Sequence, residues 1–222
     1  MPRALILSGG IFHDFPATSG CLAALLREQG ARAEVTEDLE SGLARLHDFD
    51  LLVVNALRWR MRGEKYDPYR ESWAYSPSEA AREAIRRHLG RGRGLLAMHT
   101  AVICFDDWTQ WGDLLGAHWS WGRSGHPPLG RVRIGVRTGA HPLVEGVCDF
   151  EVDDEVYGFL DRRPGLEPLM TGEHGAEAHP TLWVRESLGA RVVVDTLGHG
   201  VESLTAPAHR TVVQRALRWA LE

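Results

Sequence analysis

The chain has 222 residues and a net charge of −5, with acidic and basic side chains mixed along its whole length. This length can bury a sizeable core as one large domain, and the absence of a basic stripe argues against a nucleic-acid partner. Three cysteines without a CxxC pair are typical of reduced thiols in a cytoplasmic protein. The first residues resemble a strand rather than a signal peptide, and no apolar run is long enough for a membrane span, so we expect no membrane contact.

The first half of the sequence alternates short apolar strands with helices. Strands are predicted at residues 4–7, 33–36, 50–54 and 95–98. The first helix is expected to begin at a cap formed by Thr18 or Ser19 and to end at Gly30. A second, shorter helix is expected over 39–46, where leucines recur at helical spacing. Strands that alternate with helices in this way predict a sheet with parallel strands.

Residues 56–76 interrupt this alternation, because they are rich in Arg, Trp, Tyr and Pro and show neither a helical nor a strand period. An irregular insertion of this kind is a surface loop, a lid over a site or a subunit contact. The helix that follows has an explicit start. Ser76 is expected to cap it, with Pro77 at the first helical position and Glu79 completing a capping box.

The second half of the sequence is richer in strands. A helix is predicted at 107–115, and residues 116–128 fit no regular element. Strands are predicted at 131–137, 150–157, 166–170, 181–184 and 191–196. A closing helix carries Val213 and Leu217 on its apolar face. The acids Asp153 to Glu155 oppose β propensity, which either a functional role or a solvated edge strand explains.

Two histidines follow predicted strands at their carboxyl ends. His99 comes directly after the apolar strand 95–98, where open α/β sheets bind ligands, and His199 follows the last strand in the same way. With Glu155, the two histidines are expected to converge on one cleft. A single histidine after a strand is also common in solvated loops, and we expect the His99 side chain to be exposed.

The first strand leads into Gly9-Gly10 and then into His13 and Asp14. The glycine spacing does not match a phosphate-binding loop, and no P-loop lysine follows, so nucleotide binding is rejected. Asp14 either orients the neighbouring imidazole or caps the following helix. We expect His13 to face the same cleft as His99.

Four short motifs occur in order along the chain, and each carries a polar residue. They are Phe12-His13-Asp14, Gly94 to Ala101, Asp154-Glu155-Val156-Tyr157 and Leu197-Gly198-His199. With His126-Pro127 and His141-Pro142 between them, and Leu217 to Ala220 at the end, the chain resembles the ThuA-like family of trehalose utilisation. The resemblance covers nearly the whole chain. It implies an α/β fold of the flavodoxin-like or class I glutamine amidotransferase-like type, with a mostly parallel central sheet and helices on both faces.

The same resemblance identifies a chemistry to exclude. In the amidotransferases, the turn after the central strand holds a nucleophilic cysteine, and a late histidine with a glutamate two residues on completes the site. Here the turn holds His99, His199 is followed by Gly200 and Val201, and Cys104 lies five residues past the turn. Without a thiolate at the turn no covalent acyl intermediate forms, which excludes amidotransferase activity.

The family name implies carbohydrate metabolism, and relatives are linked to disaccharides that a partner sugar dehydrogenase oxidises. A 3-keto sugar has acidic protons beside its carbonyl, and imidazoles and carboxylates can remove such protons near neutral pH. The expected catalytic residues are His99, His199, Glu155, His13 and Asp14. The expected substrate contacts are Trp119, His126, Tyr157 and Trp59.

Two functions of different class fit these residues. The first, which we favour, is an enzyme that works on a small-molecule carbohydrate by acid/base chemistry, helped by a divalent metal such as Zn²⁺ at His99 and His199. No HxH or HExxH pair fixes such a metal, so no cofactor is certain. The second is a non-catalytic sugar-binding or regulatory subunit whose tryptophans stack on a pyranose. In either case a homodimer is expected.

Overall fold

A computed structural model describes all residues from Met1 to Glu222, and its architecture is organised around one central sheet. The strands are β1 Arg3–Gly9, β2 Arg32–Thr36, β3 Leu51–Ala56, β4 Gly94–Met98, β5 Ala117–His118, β6 Gly130–Val136, β7 Phe150–Asp154, β8 Asp161–Arg162, β9 Met170–His174, β10 Glu177–Ser187 and β11 Ala190–Asp195. Nine of them form the sheet in the order β2-β1-β3-β4-β11-β10-β9-β6-β7, and β5 pairs with β8 alone.

Seven α-helices connect these strands. They are α1 Phe15–Glu28, α2 Leu39–Ala44, α3 Asp67–Trp73, α4 Glu79–Gly90, α5 Thr109–Leu115, α6 Val201–Thr205 and α7 Pro207–Leu221. Short 3₁₀ turns occur at Leu46–Asp48, Glu64–Tyr66, His99–Val102 and Pro142–Val144. No helix combines the length and the hydropathy that crossing a bilayer requires.

The sheet separates two apolar cores, because successive side chains of a strand point to opposite faces. On one face, Leu5 and Leu7 of β1 share a core with side chains of α2, α4 and α5. On the other, Ala4 and Ile6 share a core with side chains of α1 and α7. Because both faces are covered, β1, β3 and β4 are nearly continuous apolar runs, as the sequence predicted.

The sheet is mixed, and the change of direction lies beside its centre. The pairings from β2 through β1, β3 and β4 to β11 are parallel. From β11 onwards every pairing, through β10, β9, β6 and β7, is antiparallel. The predicted α/β fold with helices on both faces is confirmed, and its parallel half brings the carboxyl ends of β1, β4 and β11 to one edge.

Two helix starts differ from the predicted ones, and polar side-chain contacts explain both. The first helix begins at Phe15 with Asp14 as its cap, since the Asp14 carboxylate accepts the Ala17 N–H at 3.0 Å. Thr18 and Ser19, the predicted caps, lie inside the helix, where both hydroxyls accept hydrogen bonds from the buried side chain of Asn55.

The fourth helix is capped by Ser78 instead of Ser76. The Ser78 hydroxyl accepts the Ala81 N–H at 3.1 Å, and Glu40 holds the same residue through its N–H and hydroxyl at 3.0 and 2.9 Å. Ser76 instead donates to Asp107. The cap therefore lies two residues after the predicted one, because a glutamate from a different part of the chain fixes Ser78.

Two predicted strands are also corrected, at 166–170 and 150–157. The first does not form before Met170, where β9 begins, and Pro168 cannot donate to a sheet ladder. The second ends at Asp154, because the buried Asp154 carboxylate accepts the Gly198 N–H at 2.7 Å and the chain then leaves the sheet. Glu155 consequently lies in a loop at the end of β7.

Residues 56–76 form an ordered segment that contains α3 and a 3₁₀ turn. Trp59 and Tyr66 are buried in the first core, and their rings meet edge to face at 5.1 Å. The segment is thus held to the domain by aromatic packing rather than lying free as a surface loop.

Candidate active site

Four polar side chains reach one point from four strand ends. His13 follows β1, His99 follows β4, His199 follows β11, and Glu155 follows the antiparallel strand β7. Each offers one ligand atom, and these four atoms all lie within 4.8 Å of one another. We call His13, His99, Glu155 and His199 the imidazole cluster. The structure therefore brings together the three residues that were expected to converge, together with His13.

The closest contacts of the cluster involve His99 Nε2. It lies 3.1 Å from Nε2 of His13, 3.7 Å from Oε2 of Glu155, and 3.0 Å from the hydroxyl of Tyr157. The same Glu155 oxygen lies 3.3 Å from Nδ1 of His199. On the other side, Oε1 of Glu155 lies 3.3 Å from Nδ1 of His126. A single carboxylate thus connects the cluster to the loop that carries His126.

The expectation of an exposed His99 was wrong. Its side chain is only 2% exposed, because the backbone turns into the left-handed region at φ +45° and directs the imidazole inward. Such a conformation costs free energy in a residue with a side chain. Phe12, directly before His13, has φ +70°, and Gly198, directly before His199, has φ +111°. Turns with positive φ therefore present three of the four cluster residues, at a cost for Phe12 and His99 and without strain for Gly198.

Backbone carbonyls fix the ring orientation of two of the histidines. The Nδ1–H of His99 donates to the Thr196 carbonyl at 2.8 Å, and that of His13 donates to the Ile11 carbonyl at 3.1 Å. Burial lowers the pKa of both imidazoles to about 4. Both rings are consequently neutral at pH 7, with the proton on Nδ1 and an unshared electron pair on Nε2.

Glu155 and His199 have the opposite charge behaviour. Burial alone would favour the protonated acid, but hydrogen bonding to His199 and the nearby His126 outweigh burial and lower the pKa of Glu155. The Glu155 carboxylate in turn raises the pKa of His199. The cluster therefore combines an ionised carboxylate with neutral imidazoles and one imidazole that holds a proton more readily.

Above the cluster lies a cavity of about 500 Å³, which we call the aromatic pocket. Six aromatic side chains line it: Phe12, Trp59, Tyr66, Trp119, Trp121 and Tyr157. All four predicted substrate contacts are at this pocket, since His126 lines it as well. Trp59 is buried and stacks against Trp121 at 6.2 Å, whereas half of Trp121 is exposed.

Phe12, Lys65 and Tyr66 line the pocket without having been predicted there. Lys65 is exposed and its ammonium lies 4.7 Å from the ring centre of Tyr66. The sequence contained one indication that Lys65 and Tyr66 could belong to the site, because Lys65 is the only lysine of the chain and lies in the aromatic insertion at residues 56–76.

Asp14 lies outside the cluster. It is exposed, and its carboxylate caps α1, which is the second of the two roles that the sequence left open. Asp154 was not predicted as a site residue, yet it supports two members of the cluster. Its fully buried carboxylate accepts the backbone N–H groups of Glu155 at 2.7 Å and of His199 at 3.3 Å.

Cys104 does not take part in the cluster. Its buried thiol donates to the Ala56 carbonyl at 3.0 Å and accepts the Arg58 N–H at 3.3 Å. Burial raises the pKa of this thiol to about 12, so it stays protonated at neutral pH. The thiol joins the ends of β3 and β4 and is no nucleophile.

A family model described as ThuA, trehalose utilisation, matches residues 3–220. No protein of curated function matches the sequence. Among solved structures, a ThuA-like protein from Parabacteroides merdae superposes with a TM-score of 0.75 at 16% identity, covering 100% of this chain and 90% of that one. A ThuA-like protein from Bacteroides uniformis gives 0.72 at 16% identity, covering 99% and 91%. A cytoplasmic protein from Salmonella typhimurium gives 0.66 at 10% identity, covering 99% of both chains.

Proposed function

Since the chain belongs to the ThuA family of trehalose utilisation, which supports a carbohydrate-related function, we propose that it is an enzyme that processes a keto-sugar by acid/base chemistry. The substrate is a small-molecule carbohydrate, such as a 3-keto-disaccharide produced by a partner sugar dehydrogenase. No covalent thiol intermediate takes part, because the one thiol near the site is buried and protonated.

The convergence of the imidazole cluster carries this proposal. The Glu155 carboxylate is ionised and is paired with His199, whose pKa is raised, so this pair can both accept and return a proton near neutral pH. His13 and His99, whose pKa values are lowered by burial, lie beside the pair as weaker bases. These groups lie on the floor of the aromatic pocket, where His13, Glu155 and His199 line the cavity. Proton acceptors and donors therefore face a space that a substrate can enter.

The aromatic pocket suits a sugar ring. The C–H faces of a pyranose pack on aromatic rings, and Trp121 offers a face that is half exposed at the opening. The few polar side chains among the aromatic ones, such as Ser124 and His126, are available to hydroxyl groups. A ring seated in this pocket places its carbonyl above the cluster.

The proposed step begins at the carbon beside the substrate carbonyl. A base of the cluster takes the proton of that carbon, and the electron pair of the broken C–H bond moves onto the carbonyl oxygen. The carbonyl oxygen then takes a proton, the hydroxyl group on the deprotonated carbon gives up its proton to become a carbonyl, and a proton returned to the former carbonyl carbon completes an isomerisation. Alternatively the glycosidic C–O bond breaks, and the departing oxygen keeps the electron pair and takes a proton. Burial raises the pKa of Tyr157 well above its usual value, so its hydroxyl stays protonated and can donate to an oxygen.

The test uses a 3-keto-disaccharide in D₂O with the purified full chain. We expect deuterium to enter the carbon beside the carbonyl, or the disaccharide to be converted, and both products are measured by NMR and mass spectrometry. His47 is exposed and outside the pocket, so His47→Gln is a control that retains this activity. Binding without exchange or conversion would favour a sugar-binding subunit instead. If the protein neither binds nor converts the keto-sugar, the proposed function is overturned.

A further inference from the structure

The imidazole cluster has a feature that proton transfer alone does not explain. Nε2 of His13 and Nε2 of His99 face each other at 3.1 Å. Both Nδ1 atoms donate to backbone carbonyls, which have no proton to give, so in each neutral ring Nε2 carries the electron pair. Two electron pairs at this distance repel each other unless a proton or a cation lies between them.

In their neutral forms the two rings have no proton to share, because each keeps its single N–H proton on Nδ1, where a backbone carbonyl accepts it. The hydroxyl of Tyr157 can donate to His99 Nε2 at 3.0 Å, but it leaves the electron pair of His13 without a donor. A cation is the partner that satisfies both rings at once.

From this geometry we infer that His13, His99, Glu155 and His199 form a binding site for one divalent transition-metal ion. Three imidazole nitrogens and one carboxylate oxygen are donors that Zn²⁺ and its first-row neighbours prefer. This inference deepens the proposed function and rests on it for the role of the metal, although not for its binding.

The spacing of the donor atoms fits such an ion. Four ligands at about 2.0–2.1 Å from a tetrahedral Zn²⁺ lie about 3.3 Å from one another. The observed separations are 3.1 Å between His13 and His99, 3.3 Å between Glu155 and His199, and 3.7 Å between His99 and Glu155. All the remaining separations lie within 4.8 Å, so the wider pairs would have to draw together as the ion binds.

The neighbouring groups also resemble those of metal sites. A histidine that binds a metal usually donates its other N–H to a carbonyl or carboxylate, which fixes the ring and its tautomer. Thr196 and Ile11 provide such carbonyls for His99 and His13. Asp154 supports the other half of the site, because it binds the backbone of both Glu155 and His199.

The site opens towards the aromatic pocket, so a bound ion would be accessible to substrate. A divalent ion there supplies Lewis-acid polarisation of a carbonyl oxygen. With an ion bound, the donor atoms of the cluster would be occupied, and Tyr157 and His126, which contact His99 and Glu155, would take over the proton transfers that the metal-free cluster would otherwise perform.

The test is metal binding by the full chain after treatment with a chelator. ZnCl₂ is titrated by calorimetry and CoCl₂ by its visible absorption, which reports nitrogen coordination without any substrate. We expect one ion per chain, and a loss of at least 10-fold in affinity for His13→Gln, His99→Asn and Glu155→Gln. His47→Gln, which removes an exposed imidazole, should bind as the wild type does.

Circular dichroism shows whether each variant is folded, and the three ligand variants lie on separate turns, so one misfolded variant does not decide the result. The inference is overturned if the wild type binds neither ion stoichiometrically, or if all folded ligand variants bind as well as the wild type. A chelated protein that still converts a keto-sugar at full rate would overturn the role of the metal in the reaction, although not its binding, and would leave the proposed function standing. Stoichiometric binding without any sugar turnover would support the site and count against the proposed function.

Discussion

His99 combines a structural role in the turn after β4 with a proposed role in the chemistry of the site. It is buried, its backbone is in the left-handed region, and its ring contacts His13 and Tyr157. Asparagine tolerates this backbone conformation better than most residues, so a His99→Asn variant keeps the turn while it removes Nε2.

We expect His99→Asn to melt a few degrees below the wild type. Losing the buried hydrogen bond to the Thr196 carbonyl costs about 1–3 kcal/mol, and each kcal/mol corresponds to about 2–4 °C in a chain of this size. Turnover should fall by about two to four powers of ten, the usual effect of disabling acid/base catalysis, because His99 Nε2 lies beside both the Glu155 carboxylate and the Tyr157 hydroxyl. Thermal denaturation and the keto-sugar assay measure both effects. A variant with unchanged turnover would reassign His99 to a purely structural role.

Trp121 should act on substrate binding and not on stability. Half of its surface is exposed at the opening of the aromatic pocket, so Trp121→Ala removes little from the core. Losing an aromatic stacking partner of a ring costs about 0.5–1.5 kcal/mol, and we expect KM to rise by about 2- to 13-fold with kcat unchanged.

Steady-state kinetics with a keto-sugar separates the two constants. Leu129→Ala is the matched control, since Leu129 is similarly exposed and does not line the pocket. Equal kinetics for Trp121→Ala and the control would show that the ring does not contact the substrate.

At the scale of elements, Asp154 connects the end of β7 with the turn after β11. Besides the N–H groups of Glu155 and His199, its carboxylate accepts the Gly198 N–H at 2.7 Å and the Ser203 hydroxyl. Four donors on one buried carboxylate hold the two loops in register. Asp154 is therefore a positioning residue for both loops.

Asp154→Asn retains the size of the side chain but replaces one acceptor oxygen with a donor NH₂ group, which opposes the N–H groups that face it. We expect a folded protein with at least 10-fold weaker Zn²⁺ binding, measured by calorimetry, because displaced supporting groups typically cost that much. Asp153→Asn alters the neighbouring, exposed carboxylate and is the control. Asp154→Glu keeps the negative charge but moves it by one methylene group. We expect this variant to bind Zn²⁺ more tightly than Asp154→Asn and more weakly than the wild type. If Asp154→Asn binds as tightly as Asp153→Asn, the carboxylate has no positioning role.

Elements that depend only on neighbouring residues of the sequence could be predicted from it. The apolar strands β1, β3 and β4 are such cases, as is His99 at a strand end. Asp14 could be named only as one of several candidate caps of α1, and the cap at Ser78 was missed, because distant side chains such as Asn55 and Glu40 decide which candidate hydroxyl or carboxylate is free. The same limit applies to the inward turn of His99, which depends on the Thr196 carbonyl 97 residues away.

The site was predictable in part for the same reason. Residues that follow strands could be placed at the sheet edge from chain order alone, and His13, His99, Glu155 and His199 all lie there. Strand alternation places Asp154 on the face of the apolar Val152 and Asp153 on the opposite face, so the burial of Asp154 could have been predicted. Its partners could not, because Gly198, His199 and Ser203 are more than 40 residues away along the chain.

At the scale of the whole molecule, buried histidines should make the fold sensitive to acid. His88 is 3% exposed and its Nε2 lies 3.1 Å from the Gly94 carbonyl. Burial, with a smaller effect of Arg93, lowers its pKa to about 4, although the Gly94 carbonyl and Asp50 act in the opposite direction. The folded protein therefore resists protonation of this ring, while the unfolded chain takes up the proton near pH 6.5.

The stabilising effect of neutral His88 is full above pH 6.5 and is lost as the pH falls towards 4. The difference of about 2.5 pKa units corresponds to about 3 kcal/mol. We expect His88→Gln to lose less stability than the wild type between pH 7 and pH 4.5, as measured by urea unfolding at both values. Parallel losses in the two proteins would show that other groups, such as His13, account for the acid sensitivity.

The homodimer remains a prediction. Light scattering on the protein as it elutes from a size-exclusion column would test it.

The single lysine of this chain gives the aromatic pocket a chemical handle. Reagents that acylate primary amines can react with only two groups in the protein, the amino terminus and Lys65. Since Lys65 lines the pocket and is exposed, a fluorophore attached there reports from the opening itself. The nearby tryptophans would quench the emission of this fluorophore, and the emission would change when a ligand displaces the fluorophore from the pocket. Once the more reactive α-amino group has been blocked near neutral pH, the natural sequence thus permits conjugation at the entrance of the site without any engineered cysteine.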